Sequence, residues 1–157
     1  MAFLSILAFI FLGQSSAFLD RRIKNTIPLE QTLRCDGNQD CGEEVCITDF
    51  LPNDSAGAKK ATEVLNVFPD GVTSYAGFAS VNATAKNKLF FWYVPPLENN
   101  GSTPLLIWLQ GGPGGSSLFG MFSEMGPYSV NKDGATLNPR LETWNRQYGM
   151  IFIDNPG

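Results

Sequence analysis

The apolar positions fall in short runs separated by polar, Gly- and Pro-rich stretches, and their spacing changes along the chain. Phe3 to Leu12, "FLSILAFIFL", is apolar except for Ser5. From Asp20 to about Asp49 no apolar period survives, which predicts an irregular segment. "SAGAKKATEVL" (Ser55 to Leu65) has a short helical pattern, closed by the turn signal "FPDG" at Phe68 to Gly71. Strand signals then dominate. "SYAGFASVN" (Ser74 to Asn82) sets Tyr75, Gly77 and Ala79 against Ala76, Phe78 and Ser80, as in a half-buried strand. "LFFWYV" (Leu89 to Val94) is rich in aromatic residues and stops at Pro95-Pro96. "LLIWL" (Leu105 to Leu109) is apolar throughout, the pattern of a strand covered on both faces. "SLFGMFSEMG" (Ser117 to Gly126) is helical in pattern, and "MIFID" (Met150 to Asp154) is the last apolar run. Successive strands with a helix before the last one predict an α/β fold whose mixed sheet starts antiparallel and turns parallel. On that reading the sheet ends on "MIFID" with its apolar edge unpaired, an arrangement proteins normally avoid.

Composition adds that one packed domain is affordable. The 157 residues are 43% hydrophobic, and 17% charged is low for a disordered chain. A net charge of −4 gives no footprint for nucleic acid or an anionic membrane surface, so neither is an expected partner. The run from Phe3 to Leu12 is too short for a hydrocarbon core of roughly 30 Å, which takes about 20 apolar residues. It reads as a signal peptide over residues 1–17, with Ser15 and Ala17 as the small residues before the cut. Sequons at Asn53, Asn82 and Asn100 lie in polar stretches and agree with a secreted or lysosomal destination. Residues 18–49 hold Cys35, Cys41 and Cys46, so a local disulfide with one orphan thiol is expected. A metal site is a weak reading, because there is no C-x-x-C pair and no histidine.

The unusual chemistry lies in "WLQGGPGGSS", Trp108 to Ser117. A phosphate-cradling loop needs a Lys, and none stands between Gly111 and Met121. The dinucleotide fingerprint fails as well: counted from Gly112, its third glycine position falls on Ser117. A tight strand-to-helix turn capped by Ser116 or Ser117 explains part of the run, but not so many consecutive bare positions. An oxyanion hole explains the rest. Backbone N–H groups about 2.7–3.1 Å from a developing oxyanion stabilise acyl transfer, and losing one donor costs roughly 3 kcal/mol. The loop after the third strand of an α/β-hydrolase supplies one such donor.

"PLLIWLQGGPGGSSLFGMFSEMGPYSV" followed by "LNPRLETWNRQYGMIFIDNPG" resembles the N-terminal part of the serine carboxypeptidases, an α/β-hydrolase family. "SYAGFASVN" and "LFFWYVPP" match that family's opening strands, and the resemblance runs from about Ile47 to Asp154. With Gln110 and Gly115 in their places, the chain is similar to the vitellogenic carboxypeptidase-like branch. The resemblance implies a partial carboxypeptidase domain over residues 50–157, forming the first strands of the mixed sheet. It implies no cofactor. It makes Gly112 the glycine whose amide forms half of the oxyanion hole. It makes Trp108, Gln110, Gly111 and Glu124 a hydrogen-bonded group that receives the free C-terminal carboxylate of a peptide substrate. Family members usually carry Asn at the place of Gln110, so substrate positioning is where this chain departs. A Glu beside a bound carboxylate is favourable only when one of the two carries a proton, which suits activity at acidic pH.

The chain has no histidine, so it holds no Ser-His-Asp triad, and no Gly-x-Ser-x-Gly elbow occurs. Ser116 and Ser117 have no base to activate them. The odd cysteine count and the stop just past "MIFID" suggest part of a longer protein. The whole is expected to remove C-terminal residues from peptides through a serine acyl-enzyme. The chain alone is expected to be inactive and not to fold stably. The alternative is a secreted, non-catalytic glycoprotein that binds peptide C-termini or a partner.

Overall fold

A computed structural model of the chain describes residues 44–82, 84, 87–98, 101, 103–112 and 114–154. The expectations placed on residues 1–17, on Cys35 and Cys41 and on Asn100 lie outside the described residues. Cys46 is a free, buried thiol with its Sγ 3.0 Å from Thr48 Oγ1. A single turn of 3₁₀-helix at Ile47–Asp49 precedes helix α1 (Ser55–Ala61), whose N-terminus is capped by Asp54 accepting from the Gly57 amide at 2.8 Å. The helical pattern to Leu65 therefore overshoots. Thr62 ends the helix by donating its hydroxyl to the Ala58 carbonyl (2.9 Å), while its own carbonyl accepts from the Ala76 amide in the sheet. The sheet claims the next residues as β1 (Glu63–Val64).

The remaining strands are β2 (Ser74–Asn82), β3 (Asn87–Val94), β4 (Leu105–Leu109), β5 (Tyr128–Val130), β6 (Leu137–Pro139) and β7 (Gly149–Ile153). Five of them form one sheet in the order β1-β2-β3-β7-β4. β1, β2, β3 and β7 pair antiparallel in turn, and β4 pairs parallel with β7, as the strand and helix order predicts. The placing of "MIFID" at the sheet edge is wrong. β7 is internal, bonded to β3 on one side and to β4 on the other, which is why it is apolar at every position. The edge among the described residues is β4. Nor is β4 covered on both faces: Leu105, Ile107 and Leu109 are 53, 60 and 54% exposed.

On the opposite side, beyond the two-residue β1, the outer edge of β2 is closed by irregular backbone. The amides of Ala76 and Phe78 donate to the carbonyls of Thr62 and Val45, both at 2.8 Å, and that of Ser80 donates to Thr48 Oγ1 at 3.3 Å. Short covers of this kind satisfy edge donors without offering a neighbour a ladder.

Register puts Trp92, Phe152 and Trp108 in one row across β3, β7 and β4, and Val94, Met150 and Leu106 in the next. Directly paired residues share a face, so both rows point to one side of the sheet. Helix α2 (Ser117–Phe119), with its π-helical continuation at Gly120–Glu124, covers that side through Leu118, Met121 and Phe122. Trp92 is the centre of the core. Its ring meets Phe122 edge-on at 5.8 Å and Phe68 at 6.1 Å, and its indole N–H donates to the buried Ser74 hydroxyl at 3.0 Å. Phe68 in turn stacks on Tyr128 at 4.4 Å, which docks the β5–β6 hairpin. The apolar pattern gives no sign of that hairpin, because its strands hold three residues each.

Burial pushes the Tyr128 hydroxyl up to about 12, and the neighbouring Asp70 carboxylate adds to the shift. The neutral phenol is the form that fits the fold. Its contribution to stability is complete below about pH 10 and is lost as pH rises toward 12. An alkaline titration followed by tyrosinate absorbance should show one of the four tyrosines ionising last, together with loss of the near-UV circular dichroism. In Tyr128→Phe that late step should vanish; its persistence would assign the shift elsewhere.

Candidate functional site

The site begins where β4 runs out. Trp108 is the last residue of β4 whose side chain faces α2, and the chain must leave the sheet and return as a helix within a few residues. Gly112 makes the reversal with φ +146°, a conformation that a side chain strongly disfavours. Gly111 and Gly112 are exposed, with no side chain between solvent and backbone.

Trp108 and Gln110 are brought together by a hydrogen bond. The indole N–H donates to Gln110 Oε1 at 2.8 Å. An indole nitrogen can only donate, so this bond fixes which end of the amide is which: the oxygen faces Trp108 and the NH₂ faces away. The ring of Trp108 is also held edge-on by Trp144, with centroids 6.1 Å apart. Space for the pair comes from Gly120. A Cβ at that position would lie 2.3 Å from Trp108 Nε1 and 3.1 Å from Gln110 Oε1. Only hydrogen fits there.

Glu124 is exposed and ends the π-helical segment that starts at Gly120, where the Met125 amide bonds back to the Gly120 carbonyl at 3.0 Å. Trp108 Nε1 is committed to Gln110 rather than to Glu124, which shares with Gly120 only the π-helical segment. The wider π turn is held from below. Arg140 donates through Nε to the Gly126 carbonyl (3.0 Å) and through Nη2 to the Phe122 carbonyl (3.1 Å), satisfying acceptors that the irregular turn leaves open.

Residues not singled out as part of the site also converge on the loop. Ser116 is the N-cap of α2, accepting from the Leu118 amide at 3.2 Å, as a serine after the glycines suggests. The unforeseen partner is Asp154, just past β7, whose carboxylate accepts from the Ser116 hydroxyl (2.9 and 3.1 Å) and from the Ser117 amide (2.7 Å). The Ser117 hydroxyl accepts from the Gln110 amide at 3.0 Å and donates to the Ile153 carbonyl at 2.5 Å. Among the described residues no group of His, Cys, Asp and Glu is arranged to hold a metal ion. The chain contains no histidine, so no imidazole base reaches either serine.

A family profile described as serine carboxypeptidase matches residues 66–157. The chain belongs to the serine carboxypeptidase family. It is 41% identical over 116 residues to the vitellogenic carboxypeptidase of Aedes aegypti, covering 73% of this chain and 24% of that protein. It is 37% identical over 121 residues to the venom serine carboxypeptidase of Apis mellifera, covering 75% of this chain and 25% of the relative. A prohormone-processing carboxypeptidase of Saccharomyces cerevisiae has a solved structure that matches 62% of this chain and 23% of its own, with 31% identity and a TM-score of 0.48. The chain thus spans about a quarter of the length of these relatives. No helix among the described residues is long and apolar enough to cross a membrane.

Gly120 offers a sharp test, because two general effects oppose each other there. Helix propensity alone gives Ala an advantage of about 1 kcal/mol over Gly. Overpacking costs about 1–3 kcal/mol, and the atoms met here belong to a ring wedged between Trp144 and the sheet. Gly120→Ala is therefore expected to destabilise, by up to about 2 kcal/mol in urea unfolding, and to shift the Trp108 Nε1–H resonance. A stabilised variant with that resonance unmoved would sink this account of the packing.

Proposed function

We propose that this chain is the N-terminal part of a serine-type carboxypeptidase of the secretory pathway, and that it carries the receptor for the substrate's free C-terminal carboxylate. The observation that carries this reading is the Trp108–Gln110 bond, which fixes the orientation of the Gln110 side-chain amide one residue before the exposed Gly111. Two kinds of N–H donor close together suit a carboxylate, which accepts on both oxygens. Gly112, next along, is the proposed half of the oxyanion hole, where an unsubstituted backbone lets the scissile carbonyl approach. Glu124 completes the receptor in this proposal.

Hydrolysis needs a nucleophile activated by a base, and the chain offers serines but no histidine. In this reading the described domain folds, contrary to the expectation of an unstable chain, and the chain alone is a binder without turnover, a state it shares with the non-catalytic alternative. Two measurements on the full chain separate the claims. A fluorescein-labelled Phe-Leu dipeptide acid should bind at least tenfold more tightly than its C-terminal amide, and Gln110→Ala should abolish that preference. Equal affinity for acid and amide overturns the carboxylate receptor. Incubation with the same acid should release no leucine; turnover free of contaminating protease overturns the claim that the chain is inactive.

The secretory assignment rests on the sequons at Asn53 and Asn82, both exposed in the structure, behind the apolar N-terminal run. Expression in insect cells should yield secreted chain whose mobility increases on deglycosylation. Replacing each sequon asparagine by Gln should remove one step of that change. Retention in the cytosol, or no change in mobility, counts against this destination.

A further inference from the structure

The loop that carries the proposed receptor cannot hold its own shape. Between Gln110 and Ser116 it supplies glycines and a proline, and Gly111, Gly112 and Gly114 are exposed. Glycine has the most backbone freedom to lose, so the loop's conformation must be imposed from its two ends. Both ends are tied to the same place. The Gln110 amide is fixed to the Ser117 hydroxyl, which is fixed to the Ile153 carbonyl. The Ser116 hydroxyl and the Ser117 amide are fixed to the Asp154 carboxylate.

We propose that Asp154 is a positioning residue for the receptor, setting the conformation of the Gln110–Ser117 loop through Ser116 and Ser117. It touches none of the groups assigned to substrate, and acts by holding both serines against the end of β7. Bonds to an ionised acceptor are about twice as strong as neutral ones, so a carboxylate suits a clamp that must overcome glycine entropy. Among the described residues Asp154 bonds no side chain other than Ser116; its own amide donates to the Phe90 carbonyl at 3.0 Å, which fixes its backbone to β3. The clamp is thereby referred to the sheet rather than to the loop.

The test uses the full chain with Asp154→Ala and Asp154→Asn. Asparagine keeps an acceptor for the Ser117 amide and can donate to the Ser116 oxygen. Hydrogen exchange at the Gln110 and Ser117 amides should be slow in the wild type, at least about tenfold faster in Asp154→Ala, and largely restored in Asp154→Asn. Unprotected amides in the wild type, or protection unchanged in Asp154→Ala, overturn the clamp. This inference rests on the proposed receptor, and binding separates the two. The preference for dipeptide acid over amide should fall about tenfold in Asp154→Ala and recover in Asp154→Asn. A lower melting temperature with that preference intact would mean a structural role only, and would overturn the positioning claim. A wild type with no preference overturns the receptor itself, leaving the exchange result to decide the clamp.

Discussion

β7 has to satisfy backbone hydrogen-bonding groups on both of its edges, and the rest of the structure depends on how it does so. It takes β3 antiparallel on one side and β4 parallel on the other. A parallel neighbour cannot be reached by a tight turn, so the chain between β4 and β7 must cross over one face of the sheet. The crossover is the glycine loop, α2 with its π-helical end, the β5–β6 hairpin and the single 3₁₀ turn at Trp144–Arg146. Parallel pairing also brings the C-terminal ends of β4 and β7 side by side, with Leu109 opposite Ile153. Gln110 and Asp154 therefore emerge as neighbours although they are far apart in sequence. The glycine loop and the carboxylate that bonds its two serines are two products of one pairing.

Side-chain size then decides how closely the crossover settles. The core row of Trp92, Phe152 and Trp108 is bulky, and the covering helix comes down on it through Met121 and Phe122. The bare Gly120 lets the helix come close to Trp108, and there it widens into a π turn. Buried polar groups follow the same economy. Ser74, Thr62, Ser117 and Thr143 each bond a neighbour, and the Asn145 side chain donates to the Val94 carbonyl at 3.1 Å. Its Oδ1 is the one buried side-chain oxygen without a partner among the described residues.

Much of this was legible in the sequence, and the residues explain where legibility ends. β2 and β4 read directly from alternation or from an unbroken apolar run, and β3 and β7 do so to within two residues, although the burial inferred for β4 did not hold. Sheet order did not read, since an apolar run looks the same whether it lies inside the sheet or at its margin; "LLIWL" and "MIFID" exchanged those places. The end of α1 was misjudged because Thr62 answers to a strand partner that local propensity cannot see. In the site, composition alone marked the glycines, and family resemblance marked Trp108 and Gln110. Asp154 carried no signal. It is an acidic residue after a strand, and its bond to Ser117 spans 37 positions.

The two margins of the sheet are unlike. On the β2 side, loop carbonyls and a threonine hydroxyl occupy the donors that a further strand would need. On the β4 side, no described strand takes the outer groups, and the exposed Leu105, Ile107 and Leu109 leave that flank greasy. Such a sheet has a direction of growth. Whatever extends it must lie down beside β4, and a strand laid there in parallel delivers its C-terminal end next to the glycine loop. The open margin thus runs out at the glycine turn that follows β4, the same end of the sheet at which Asp154 leaves β7.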